Sequence, residues 1–105
     1  MANPLAGEVE IRIGGERRIC KLTLGALAEL EADLREESLI ALIERFDHGS
    51  YRAADILAVV VAGLRGGGWE GTRDEFMSLD VDGGVTEAAR VAARLLVGAF
   101  APFEQ

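Results

Sequence analysis

The sequence is poor in the residue types that build disulfide frameworks and metal centres. Among its 105 residues it has a single cysteine, Cys20, and a single histidine, His48. One cysteine excludes an intramolecular disulfide and a multi-cysteine metal site, and it fits a reducing compartment. We therefore expect neither a metal ion nor an organic cofactor in this protein.

Positive charge and long apolar segments are also scarce. Eleven lysines and arginines stand against 18 acidic residues, which gives a net charge of -7. Such a protein repels phosphate, so nucleic acids and anionic membranes are poor partners, whereas basic or apolar protein surfaces are suitable ones. The longest apolar run, over residues 56–64, is about half of what a membrane crossing needs. The N-terminus lacks the blocks of a signal peptide, and we expect a cytoplasmic protein.

Polar and apolar residues alternate on both sides of a Gly14-Gly15 pair, which predicts a β-hairpin. Two registers keep the apolar side chains on one face. A four-residue turn beginning at Gly14 pairs Ile11 with Cys20, whereas a two-residue turn places Arg18 opposite Ile11. Because burial should penalise Arg18 in the second arrangement, we expect the longer turn.

Capping signals and apolar spacing predict helices after the hairpin. Thr23 and Ser38 each precede a helical pattern of leucines, and Thr72 with Glu75 forms a capping-box pattern. The stretch over residues 56–62 is apolar on all sides, which is typical of a buried central helix.

These elements predict an α+β fold, with an N-terminal β-hairpin followed by four or five α-helices. The sequence has no repeat and no long linker, so we expect one domain over residues 1–105. Residues 1–6 and 101–105 are expected to form flexible tails.

Three features could carry chemistry, and a structural interpretation is favoured for each. His48 follows a helix without a second ligand nearby, which favours an exposed residue at the helix C-terminus. Cys20 lies on the apolar strand face, which favours a buried thiol. The glycines at 66–68 follow a helix rather than a strand, which favours helix termination over phosphate binding. We predict no enzymatic activity. The alternative from another class is a small ligand-binding or enzymatic domain that uses His48 or the glycine loop.

With no catalytic group favoured, the remaining candidate functional residues are those that could bind a protein partner. Binding energy usually concentrates in a few aromatic anchors, and the candidates are Trp69, Phe100 and Phe103. Trp69 could equally fold back on the core. An acidic strip on the first helix, with Glu29 and Asp33 on one face, would steer a basic partner or serve solubility alone. Glu31, Glu36 and Glu37 extend this strip.

Three segments, together with the charged hairpin, carry a resemblance to a known family. They are LTLGALAELEADL (Leu22 to Leu34), ILAVVVAGLRGGG (Ile56 to Gly68) and AARLLVGAF (Ala92 to Phe100). The chain resembles the gene transfer agent family of small phage-like tail proteins, which is grouped with the tail assembly chaperones of long-tailed phages. The resemblance extends from about residue 7 to residue 100.

The resemblance implies a role in building a phage-type tail. Related chaperones coat the tape measure protein and recruit tail tube subunits, whereas some family descriptions call these proteins tail tube components. It therefore implies an assembly factor that binds the tape measure protein, the tail tube protein or both. The alternative is a structural tail subunit retained in the particle, and self-association is compatible with either role.

Overall fold

The computed structural model describes residues 2–35 and 37–100. A short 3-10 turn, Pro4–Ala6, lies within the predicted N-terminal tail; the predicted tail at 101–105 is outside the described residues. Two antiparallel strands follow, β1 (Glu8–Ile13) and β2 (Glu16–Lys21). Over the described residues the helices are α1 (Leu24–Leu34), α2 (Leu39–Asp47), α3 (Ala53–Gly66), α4 (Arg73–Met77) and α5 (Gly84–Phe100). The predicted α+β fold, a hairpin followed by helices, is confirmed.

The helices begin where the capping signals predict. Thr23 and Ser38 each accept a hydrogen bond from the backbone N–H three residues later, at 3.1 and 3.0 Å. Thr72 and Glu75 form the reciprocal capping box at the start of α4, with distances of 3.1 and 2.7 Å. These bonds satisfy amide groups that have no partner within the helix.

The core lies between the hairpin and the helices, with α3 at its centre. One face of α3 packs against β2, and other faces pack against α1 and α5, while α5 also covers β1. Every residue from Ala58 to Leu64 is buried. The apolar run thus forms the predicted central helix, because a helix surrounded by other elements must be apolar on all sides.

The hairpin register differs from the expected one. Gly14 and Gly15 form a two-residue turn, so that Ile11 pairs with Arg18 and Val9 pairs with Cys20. The expected four-residue turn is wrong. A shift of two residues leaves every side chain on its original face, and the apolar pattern is therefore equally satisfied by both registers.

The backbone of the turn decides the register. Gly14 and Gly15 have φ angles of +57° and +81°, which are the left-handed values that a two-residue hairpin turn of type I′ requires at both positions. Arg18 does lie on the apolar face, but its side chain remains 42% exposed and its Nη2 donates to Glu16 Oε1 at 3.1 Å. The aliphatic stem is covered while the guanidinium reaches water, which reduces the expected burial penalty. Arg18 Nε is buried without a partner among the described residues, so part of the penalty remains.

The close approach of α3 to β2 depends on two glycines. A Cβ atom on Gly66 would lie 2.0 Å from the carbonyl oxygen of Lys21, and one on Gly67 would lie 1.9 Å from that of Ile19. Neither glycine has a positive φ angle. Glycine is therefore required at these two positions because a side chain would collide with the backbone of β2. This role is additional to the helix termination that the sequence indicates.

We expect Gly66→Ala and Gly67→Ala each to lower the free energy of unfolding by about 2 kcal/mol, because α3 must move away from β2 to admit the methyl group. Chemical denaturation followed by circular dichroism measures this loss. Gly25→Ala is the matched control, since a Cβ there meets only open space near Thr23 and glycine is the poorer helix former. A loss of stability in the control equal to that in the other two variants would contradict the steric explanation.

Candidate partner-binding surfaces

An apolar groove runs between α2 and α5. Its walls include Ile43 and Phe46 from α2 and Leu96, Val97 and Phe100 from α5. The Phe100 side chain is 44% exposed, so a large aromatic surface is available at the end of the groove. The structure therefore places one of the predicted anchors in a concave apolar setting, which is where interface anchors usually lie.

The other two predicted anchors are not brought to this groove. Trp69 is half-buried and packs edge-to-face on Phe76, with ring centroids 6.4 Å apart. Gly71 lies close against the indole ring, since a Cβ there would be 2.1 Å from Trp69 Cζ2. Trp69 thus folds back on the core, and the groove beside it shares no residue with that of Phe100. Phe103 lies outside the described residues.

Two of the three acidic side chains on α1, Glu29 and Asp33, form ion pairs within the chain. Glu29 binds Arg65 at the end of α3 at 2.9 Å, and Asp33 binds Arg73 at the start of α4 at 3.0 Å. All four side chains are roughly half exposed, so each pair contributes about 0–1 kcal/mol to stability. These arginines reduce the negative charge that Glu29 and Asp33 can present to a partner. Glu36 lies outside the described residues.

An ion-pair cluster centred on the buried Asp55 joins α2 to α3, and sequence reasoning did not identify it. Asp55 is 2% exposed and accepts two hydrogen bonds of 2.9 Å from Arg45. It also accepts from the backbone N–H of Arg52 at 2.8 Å and from the Arg52 side chain at 3.2 Å. Glu37 accepts from both arginines at 3.1 to 3.3 Å. Two acids and two bases thus balance their charges in one cluster.

The cluster fixes one wall of the groove. The backbone of α2 makes few close approaches to the other elements, and Leu42 is its one buried apolar side chain. The bidentate contact between Arg45 and Asp55 is therefore a principal link between α2 and α3, because such a pair defines both distance and orientation.

The pKa of Asp55 reflects this environment. Burial by itself raises the pKa, but hydrogen bonds from Arg45 and from the backbone and side chain of Arg52 outweigh it and lower the pKa from 3.8 to about 2. The carboxylate is therefore charged at all physiological pH values. Its contribution to stability is present above the unfolded-state pKa and is lost as the pH falls through the folded-state pKa.

Cys20 and His48, two of the residues that could carry chemistry, lie where a structural role predicts them. Cys20 is fully buried, as expected, and burial raises the pKa of its thiol to about 12. At neutral pH the thiol is therefore almost entirely protonated, which leaves little nucleophilic thiolate. His48 caps α2 as an exposed residue, and its Nδ1 lies 2.8 Å from the carbonyl oxygen of Glu44. Both structural interpretations of these side chains are confirmed.

Residues 2–35 and 37–100 contain no group of three or more histidine, cysteine, aspartate or glutamate side chains placed to hold a metal ion. Within the same ranges, no helix has the length and apolar character that a membrane crossing requires.

We expect Asp55→Asn to lower the free energy of unfolding by about 3 kcal/mol at pH 7, because it leaves Arg45 without its buried counter-charge. The difference between wild type and variant should shrink as the pH falls from about 4 towards 2, where Asp55 of the wild type becomes protonated. Urea denaturation across this pH range measures both effects. Asp47→Asn, at an exposed position on α2, should cost little at any pH. A pH-independent difference for Asp55→Asn would contradict this interpretation.

The chain matches no curated protein and no solved structure. One family model does match it, over residues 6–102, and its description is "Phage tail tube protein, GTA-gp10". The match covers nearly the whole chain and includes the hairpin and all five helices described above. The resemblance to gene transfer agent tail proteins is confirmed at the level of the family. The chain belongs to the GTA-gp10 family of phage tail tube proteins.

Proposed function

We propose that this protein is a tail assembly factor that binds a helical segment of another tail protein in the groove between α2 and α5. The observation that carries the proposal is the exposed aromatic and aliphatic lining of this groove, with Phe100 at its end. A cleft between two helices suits an amphipathic helix, whose side chains at positions i, i+3, i+4 and i+7 form one apolar stripe.

The preferred partner is the tape measure protein or the tail tube protein. Membership of a phage tail family supports a partner from the tail. The net charge of -7 favours a partner with basic residues beside its apolar stripe, and Asp47 at the edge of the groove supplies a contact for one of them. Acidic residues elsewhere on the surface would act mainly on the association rate.

Co-expression with the tape measure protein and, separately, with the tail tube protein tests the proposal. Phe100→Ala should weaken the complex by about 2 kcal/mol, or thirtyfold in Kd, because it removes an anchor from the groove. Co-purification followed by titration calorimetry measures the change.

Met77→Ala provides the matched control for this experiment. Met77 is another exposed apolar side chain, at 64%, and it lies on α4 outside the groove. Its truncation should leave the complex intact. Equal binding by wild type and Phe100→Ala would place the contact elsewhere on the molecule, and failure to bind either tail protein would overturn the proposal.

A second candidate function is a structural subunit that stays in the finished tail. It is favoured by the family description, which names a tail tube protein. Quantitative mass spectrometry of purified particles separates the two functions, because a subunit is present in stoichiometric amounts and an assembly factor is absent. We expect absence, and a constant ratio to the major tail proteins would favour the structural role.

A further inference from the structure

The short turn Pro4–Ala6 presents an exposed leucine beside the C-terminal end of α5. The Leu5 N–H donates to Asn3 Oδ1 at 3.1 Å, which holds the turn in place. A Cβ atom on Gly98 would lie 3.4 Å from Gly7 Cα, so the backbone next to the turn packs closely against α5. The Leu5 side chain itself is 95% exposed and projects from this end of the molecule as an apolar knob.

Val97 of α5 lies between this knob and the groove between α2 and α5. On one side it lines the groove together with Phe46, and on the other side it lines a second groove together with Pro4. Its own side chain is 66% exposed, and Phe100 is exposed one turn further along α5. Neighbouring exposed apolar side chains of this kind usually mark a contact surface.

The order of these features makes the surface complementary to itself. The apolar groove lies on one side of Val97, and the Leu5 knob lies on the other side. A two-fold rotation about a point between a knob and a groove places each of them opposite the other. Such a surface meets the condition for an isologous dimer, in which both copies use the same patch.

The charged residues around Val97 follow the same order. Asp47 borders the α2–α5 groove, and Arg94 borders the groove on the side of the knob. Within residues 2–35 and 37–100, neither side chain forms an ion pair. The two-fold rotation brings Asp47 of each copy towards Arg94 of the other. Opposite charges that face each other across an interface favour the pairing and fix its register.

We propose that two copies of the chain form a dimer about a two-fold axis at Val97. Leu5 of each copy enters the α2–α5 groove of the other copy and packs beside Phe100. Arg94 of each copy pairs with Asp47 of the other. The exposed apolar patches of both copies are thereby covered in one closed interface.

The dimer covers the groove in which we place the helical segment of another tail protein. Leu5 of the second copy takes the position of an apolar anchor on that segment, and Arg94 takes that of its basic residue. The second copy and the tail protein therefore exclude one another. This consequence rests on the proposed function, whereas the dimer itself does not.

Sedimentation of the purified protein alone tests the interface, independently of whether any tail protein binds. The wild type should pass from monomer to dimer as its concentration rises. Leu5→Asp should weaken the dimer about tenfold, because it places a carboxylate in each of the two apolar grooves. Leu24→Asp is the matched control, since Leu24 is also largely exposed but lies at the start of α1, outside the patch.

Exchange of the charged pair provides a second test of the same interface. Asp47→Arg and Arg94→Asp should each weaken the dimer about tenfold, because each places two like-charge pairs across the axis. The double variant should dimerise as the wild type does. Glu31→Arg makes a charge change of the same size on the exposed surface of α1 and should leave the dimer unchanged. Circular dichroism of each variant establishes that the monomer is folded.

A wild type that stays monomeric at its highest soluble concentration would overturn the proposal. Dimerisation of Phe103→Ala in that case would show that the groove holds the chain's own tail instead. A double charge variant that dimerises no better than the single variants would also overturn it, because Asp47 and Arg94 would then not face each other.

Addition of the tape measure protein or the tail tube protein tests the exclusion. The one that binds should convert the dimer into a complex with one copy of the chain. A tail protein that binds the intact dimer would show that the groove is not shared. Failure of both to bind would overturn the proposed function alone and leave the dimer standing.

Discussion

The approach of α3 to the hairpin is the constraint on which the other elements depend. At the end of α3, Gly66 and Gly67 bring its backbone against that of β2, and Gly63 admits Leu95 of α5 on another side. At the start of α3, Asp55 holds α2 through Arg45. A helix fixed at both ends defines where α2 and α5 lie, and the groove between them follows from those positions. Interiors are close-packed, so a displacement of α3 would be transmitted to this groove.

Local signals in the sequence predicted the elements well. Caps such as Thr23 and Ser38 bond within one helical turn, so they can be recognised from neighbouring residues. A continuous apolar run such as Ala58 to Leu64 likewise predicts a helix buried on all sides. The hairpin register was not predictable from the apolar pattern, because both registers bury the same side chains. The decision depended on backbone angles at Gly14 and Gly15, and the preference of two-residue turns for paired glycines was the signal available.

The candidate site was only partly accessible from the sequence. Phe100 was identified as an aromatic residue near the chain end, but its groove requires Ile43 and Phe46, which are distant in sequence. Glu29 was interpreted as part of an open acidic strip, whereas its partner Arg65 lies 36 residues away. Asp55 did carry a signal, because an acidic residue beside an apolar helical run needs a nearby cation. Arg52 is the closest arginine in sequence, but Arg45 and Arg65 are equally distant at ten residues, so the sequence did not identify Arg45 as the second partner.

Because Cys20 is buried, its reactivity can be used to measure local opening of the contact between the hairpin and α3. The Cys20 side chain lies where β2 packs against Gly63 of α3. The raised pKa of its thiol suppresses reaction while this contact is intact. Alkylation of Cys20 therefore requires the hairpin to separate from α3. The labelling rate then measures how often the contact between β2 and α3 opens. Because the chain has a single cysteine, the signal comes from one place and needs no engineered label. The same measurement can be made on the protein in an assembled complex. The ratio of its labelling rate there to that of the free protein shows how far assembly reduces this opening.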